Sequence, residues 1–375
     1  MSDQYQLIEV KSKSDLYRWI KFPHQLYLGD KNFIPQVISD EKKFFNPKIN
    51  PSFNIAEVKL LLVIKNNQVA GRVAGIINSL EVKKLGIKRG RFGWFETIDD
   101  HHVTNLLLTT VKDWLLAQGC TEMTGPHGFT DLDPEGLLVD GFNELPTISG
   151  SYNFPYYQQH LEDFGFSKDV DYIEYKINFP VGDPFFERVV VNIDKDPNYY
   201  ILPLKKRKDL LSRAEEFWEI LESSFYPLYG VTPLSKEQQN FYTSRYLSFL
   251  DLDFVKFAYR RVDNKMVGFF IGMPNVSKGF QRAGGRLLPL GIFHILREFK
   301  RSKNVDFLLA GVDPSLPAKK ILLLLTSAMY RACRDRGIGI LETNRELETN
   351  TNVNGIWTRY DSRLHRRSRI FKLSL

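Results

Sequence analysis

Two hydrophobic rhythms run through the chain. Short stretches are apolar throughout or at alternate positions, and between them apolar residues recur at three- and four-residue spacing. The stretch 305–344 carries both. An apolar run over 305–312 ends at Asp313-Pro314, and a loop follows. Ile321, Leu324, Leu325, Ala328, Met329 and Ala332 then mark one face of a helix that stops at Gly337, and 338–341 is again short and apolar. Strand, loop, helix and strand predict a βαβ unit whose tight loop turns free backbone N–H groups toward an incoming anion.

The same signals occur upstream. A strand over 5–10 precedes a helix capped by Asp15 and carrying Leu16, Trp19, Ile20 and Leu26. A proline-bearing connection, 30–53, leads into a hairpin of 58–64 and 69–77. A strand over 91–98 ends at Asp99-Asp100, a helix spans 103–118 up to Gly119, and a short strand covers 122–124. Set beside 305–344, GWFETIDD, helix, GCTEMTGP matches FLLAGVDP, helix, GIGILETN in order, length and turn chemistry. Each copy has a hairpin before it, the second over 254–273, and helical sequence before that, 210–225 and 236–250 in the second. Downstream stand a helix over 156–164 and a strand over 171–178 in the first copy, and a helix near 353–360 and a strand over 368–373 in the second. Two copies of one α/β unit account for 375 residues better than one large core. The boundaries fall at 1–180 and 198–375, with 181–197 as linker.

The 305–344 segment resembles the cofactor-binding core of the GNAT superfamily of acyl-CoA-dependent N-acyltransferases, through its GVDP strand ending, its loop, its long helix and the following ETN. With the repeat, most of the chain resembles a bacterial tandem GNAT protein. The resemblance implies two GNAT-like α/β domains in tandem, each a mixed sheet flanked by helices and splayed between its fourth and fifth strands. It implies acetyl-CoA or another acyl-CoA as a substrate and no metal. Leu309, Ala310, Gly311 and Val312 would offer backbone groups to the pantetheine. Ser315, Ala318, Lys319, Lys320 and Ile321 would lie under the pyrophosphate, and Asn344 would contact the cofactor. Glu342 is the polar residue after the fifth strand, and Tyr360 the tyrosine placed to protonate the departing thiolate. The family's glycine-rich loop is replaced here by Leu316-Pro317-Ala318-Lys319-Lys320-Ile321, leaving the two lysines to supply the attraction. In the first copy Asp99-Asp100-His101-His102 stands at the same place. Two carboxylates cap a helix well and repel a phosphate, so that copy is expected to have lost the cofactor. Its two histidines are adjacent and read as surface residues.

The resemblance therefore implies an N-acyltransferase working through its second domain by direct transfer to a small-molecule or lipid amine. A catalytically silent scaffold of the same fold is the alternative. Nucleic acid is not an expected partner. The long loop 125–157 holds Asp131, Asp133, Glu135 and Asp140, and Asp131 is the candidate general base among carboxylates that otherwise cap turns. The spacing lacks the full calcium-loop pattern. The stretch 275–303 interleaves nine large apolar residues with Lys278, Arg282, Arg286, Arg297, Lys300, Arg301 and Lys303. It reads as a helical pair packed on the sheet, or as a segment that wraps a long acyl chain or lies on an anionic membrane.

Composition adds little to this picture. The net charge of +7 includes a C-terminal cluster of His365, Arg366, Arg367, Arg369 and Lys372, read either as a polyanion site or as a solvated strand face. Two lone cysteines, a polar opening and no apolar run longer than 321–325 predict a cytoplasmic protein without disulfides, leader or membrane span.

Overall fold

The computed structural model describes residues 4–192 and 195–375. The first half runs β1 (Tyr5–Glu9), α1 (Lys13–Leu26), α2 (Ile38–Phe44), β2 (Ala56–Lys65), β3 (Gln68–Asn78), α3 (Ser79–Leu85), β4 (Arg89–Thr97), α4 (His101–Ala117), β5 (Glu122–Gly125), β6 (Leu137–Asp140), α5 (Tyr156–Phe164) and β7 (Ser167–Asn178). The second runs α6 (Pro184–Asn192), β8 (Tyr199–Ile201), α7 (Arg207–Leu211), α8 (Ala214–Phe225), α9 (Lys236–Arg245), β9 (Val255–Arg260), β10 (Lys265–Pro274), α10 (Ser277–Ala283), α11 (Gly291–Arg301), β11 (Asn304–Val312), α12 (Ala318–Arg336), β12 (Ile340–Thr343), β13 (Glu346–Leu347), α13 (Thr351–Trp357) and β14 (Ser362–Ser374). Both strand–loop–helix–strand units and both hairpins stand where the pattern put them. The stretch read as linker contains α6, whose Glu187 bonds Tyr330 and Arg334 of α12. Its Ile193 and Asp194 lie outside the described residues.

The two mixed sheets expected of the halves are joined into one. Strand order is β1-β2-β3-β4-β5-β14-β7-β12-β11-β10-β9-β8, with β6 on β14 and β13 on β7. Each half supplies five strands in the same order, and the last long strands are exchanged. β14, the last strand of the second half, pairs with β5, and β7, the last of the first, pairs with β12. The two meet each other antiparallel from Ser362↔Ile177 to Lys372↔Ser167.

In that seam the C-terminal basic cluster, read as a polyanion site or a solvated strand face, meets carboxylates of the protein itself. Arg369 bonds Asp171 through two nitrogens at 2.7 and 3.1 Å, Arg367 bonds it at 3.0 Å, and Lys372 reaches Glu122 at 2.6 Å. Arg366 is fully buried beside Glu174. The charges face carboxylates on neighbouring strands, as opposite charges across a sheet favour.

α4 and α12 cover one face of the sheet over separate cores, led by Leu107, Val111 and Leu115 in the first half and by Ile321, Leu325 and Met329 in the second. The other face carries a core common to both halves, in which Trp19, Phe44 and Phe129 join Phe217, Trp218, Tyr242 and Phe269.

Candidate functional site

β11 and β12 run parallel for only four residues, from Asn304↔Ile340 to Phe307↔Thr343, and then part. β11 continues to Val312 against β10, so among the described residues 308–312 presents a strand edge with no strand opposite. A bulge starts the divergence. Gly272 faces Phe307 and Ile271 faces Leu309, leaving Leu308 as an extra residue on β11. Asn344, just past the parting, ties its two sides together. Its backbone N–H donates to Phe307 O at 2.9 Å and its side-chain amide to Leu308 O at 3.2 Å, while Ser149 donates to its Oδ1 at 3.0 Å. α8 closes the edge from one face, and a Cβ on Gly311 would come within 2.6 Å of Ser224 Oγ. Away from β11, Trp218, Leu221 and Phe225 of α8 line a narrow cleft with Leu132, Pro233 and Asp131.

The edge leads into an exposed loop and the start of α12. Asp313 Oδ1 accepts from both the N–H and the hydroxyl of Ser315. No side chain caps α12, whose N-cap is Pro317. Its first N–H groups and the positive end of its dipole are therefore left to water or to an anion. Ala318 and Lys319 are exposed there. Lys320 is instead drawn aside by Asp196 at 3.1 Å, over the Tyr199 ring. Ile321 turns its side chain wholly into the core.

The first half has the same parting and fills it. β4 and β5 pair from Arg89↔Glu122 to Arg91↔Thr124 only. The chain beyond β5 then lies along β4, with His127 N–H donating to Phe92 O at 2.9 Å. It presses so close that a Cβ on Gly93 would sit 2.5 Å from His127 O. Asp100 caps α4 through His102 N–H and also accepts from Tyr5 and Lys65. Strand edge and helix terminus are both occupied by the protein's own groups.

A polar row crosses the sheet beside the open parting. Asp306, Glu342, Lys176 and Arg363 are register partners on β11, β12, β7 and β14, so their side chains share one face, opposite α12. Asn275 donates to Asp306 Oδ1 at 2.8 Å, and Lys176 lies 3.4 Å from Glu342 and 3.5 Å from Glu144. His365, buried, has Glu144 at 3.7 Å and Glu342 at 4.0 Å. Asp306 Oδ2, Glu342 Oε2, both oxygens of Glu174 and both nitrogens of His365 are buried without a hydrogen-bond partner among the described residues. Burial, with the charge of Glu342, raises Asp306 well above the usual carboxylate range, and burial raises Glu342. Burial, helped by Lys176 and Arg366, pushes His365 down to about 3.

Three catalytic candidates thus fall in three places. Glu342 is in the row at the parting. Asp131 lies in the α8 cleft, where burial brings it to about 6. Tyr360 is at the far end: α13 stops at Trp357, the chain turns, and the Tyr360 ring packs 6.5 Å from Phe186. The next residue, Asp361, accepts from Asn178 N–H, and Asn178 faces Ile340 at the start of β12. α13 brings Trp357 near the parting, its ring 6.2 Å from that of Phe307. Asp306 was missed in the sequence because one acid in an apolar strand carries no local signal; its register opposite Glu342 is what marks it. Among the described residues, no group of three or more His, Cys, Asp or Glu is placed to hold a metal ion.

Among solved structures, a tandem GNAT protein from the clavulanic acid biosynthesis pathway superposes on 99% of this chain and 98% of its own, with a TM-score of 0.58 at 9% identity. The chain has the tandem GNAT fold. A probable N-acyltransferase from Enterococcus faecalis superposes on 99% of the chain and 73% of its own, with a TM-score of 0.53 at 8% identity. Two sequence relatives match most of the chain. Protein YghO of Escherichia coli (strain K12) is 25% identical over 369 residues, covering 96% of this chain and 93% of its own. A bacterial ceramide synthase of Caulobacter vibrioides is 27% identical over 337 residues, covering 89% and 87%. No protein-family model matches the chain. Among the described residues, no helix is long and apolar enough to cross a membrane.

Proposed function

We propose that the protein is an acyl-CoA-dependent N-acyltransferase whose one working site is the open edge of the second half, and that its acceptor is a long-chain amine. The observation that carries this reading is the asymmetry of the two partings. One is filled by its own chain and its helix is capped by a carboxylate; the other offers a strand edge that is open beyond Leu308 and runs into a helix terminus without a side-chain cap. An extended pantetheine can pair with 308–312, and its phosphates suit the start of α12. The choice of acceptor rests on the ceramide synthase among the relatives, since a ceramide is an amide of a long-chain amine.

In the reaction, the neutral amine attacks the thioester carbonyl, the C–N bond forms, the C–S bond breaks and the thiolate leaves. The amine's proton passes to the Asp306–Glu342 pair, whose unpartnered oxygens lie beside the parting.

Calorimetry with CoA and acyl-CoAs of several lengths tests the site without the acceptor. One molecule should bind per chain. Ala318→Asp with Lys319→Glu places two negative charges in the first turn of α12, where they suit the helix dipole but oppose the phosphates. Affinity should fall by about tenfold or more while the melting temperature holds, a loss of about 1.4 kcal/mol. Asp99→Asn with Asp100→Asn should leave affinity unchanged. No heat with any ester would favour the silent scaffold, and loss only in the Asp99/Asp100 variant would move the site to the first half.

A further inference from the structure

The stretch 275–303 folds as the antiparallel pair α10 and α11. Ile295 and Phe299 of α11 pack on the core shared by the halves. Its other face is unlike any ordinary helix surface. Leu288, Leu290, Phe293 and Leu296 are 77, 64, 66 and 48% exposed, grouped at the α11 N-terminus and the turn before it. Arg297, Lys300 and Arg301 continue that outward face, with Lys278 and Arg286 exposed beside it. The segment holds seven Lys and Arg against one acid, Glu298, which Arg282 binds at 2.7 Å. Its net charge is +6 of the chain's +7, so the rest of the molecule is close to neutral.

We infer that α11 and the turn before it form a docking surface for an anionic lipid bilayer. Leu288, Leu290, Phe293 and Leu296 enter the interface, and Arg286, Arg297, Lys300 and Arg301 meet lipid phosphates. Exposed leucine and phenylalanine rimmed by exposed cations is the composition that such an interface selects. A second copy of the chain fits less well, because a two-fold contact through this face sets its cations against the same cations. Nucleic acid would use the cations and leave the apolar tips without a role.

The surface also adjoins the proposed site. Asn275, just before α10, bonds Asp306 of the polar row, and Ser277 in its first turn bonds Pro146 O of the loop covering that row. Gln281 holds the loop 31–33 of the first half through Lys31 O and Phe33 O, near the 87% exposed Leu28. A membrane-bound amine would reach the row along α10. The purpose of the docking thus rests on the long-chain-amine reading, whereas its detection does not.

The test is flotation of the full chain with vesicles of phosphatidylcholine alone and with added phosphatidylglycerol. The protein should bind the anionic vesicles, and salt should weaken the binding. Leu290→Glu with Phe293→Glu should abolish it. Arg297→Glu, Lys300→Glu and Arg301→Glu together should lower partitioning by about 100-fold or more, from about 1 kcal/mol for each cation near such a surface. Neither variant should alter acyl-CoA binding or the melting temperature, since these side chains face outward. Absence of vesicle binding with acyl-CoA binding intact overturns the docking surface and spares the site. Vesicle binding that survives both variants, or a concentration-dependent dimer abolished by Phe293→Glu, also overturns it. Vesicle binding without acyl-CoA binding would keep the surface and overturn the site.

Discussion

Glu342 and Asp306 face each other across β11 and β12 with one unpartnered oxygen each, whereas Asp131 is set apart in the α8 cleft. If the pair receives the amine's proton, Glu342→Gln should lower kcat by about 10²- to 10⁴-fold and leave the affinity for acyl-CoA unchanged. Asp131→Asn should cost less than about tenfold. Thiol release from an acyl-CoA in the presence of a long-chain amine measures both. A large effect of Asp131→Asn with a mild one of Glu342→Gln would transfer the role. Glu342 was legible as a polar residue at the end of a short strand in a repeated unit, and the structure sets it one residue inside the end of β12. Asp306 was not, and Tyr360 misled for a related reason. Both depend on where a strand neighbour or a helix end falls, to within a residue, and no pattern in the sequence encodes that.

At the scale of elements, the hairpins, α4, α12 and the strands beside them were legible because each buries an apolar face of regular period. The loop between β5 and α5 was legible only as a rich loop. It plugs the first parting through His127 and carries a buried acidic set into the seam between the halves. Asp133 accepts from Tyr242 of α9, and Glu135 lies 3.8 Å from Arg345 after β12. Burial raises Asp131 to about 6 and Asp133 and Glu135 to about 7. Each therefore holds its proton more tightly in the folded chain than in the unfolded one, where carboxylates titrate near 4. Their contribution to stability is full below about pH 4 and is lost as pH rises through about 7. The urea midpoint should decline across that window, and Asp131→Asn with Glu135→Gln should flatten the decline. Denaturation series at half-unit pH steps would measure it; an unchanged slope in the double variant would mean these carboxylates are not held protonated.

At the scale of the whole molecule, the exchange of β7 and β14 makes each half complete the other's sheet. The sequence showed two similar units but could not show this, because strand partners distant in the chain leave no local mark. A fragment of 1–180 keeps β5 and β7 and lacks the β14 that lies between them. It should fail to give a cooperative melt, while the full chain unfolds in one transition by both fluorescence and circular dichroism. A fragment that is monomeric and melts sharply would argue that β7 can return to β5 unaided.

The same exchange sets an order of events during synthesis. β14 leaves the ribosome roughly 240 residues after β5, an interval of about 12–50 s at typical elongation speeds. Through that time the first half exists with the free edge of β5 exposed, the kind of edge that recruits foreign strands. The nascent chain is thus at its most aggregation-prone while its first half is already made, and a holding chaperone would find its work there rather than on the finished protein.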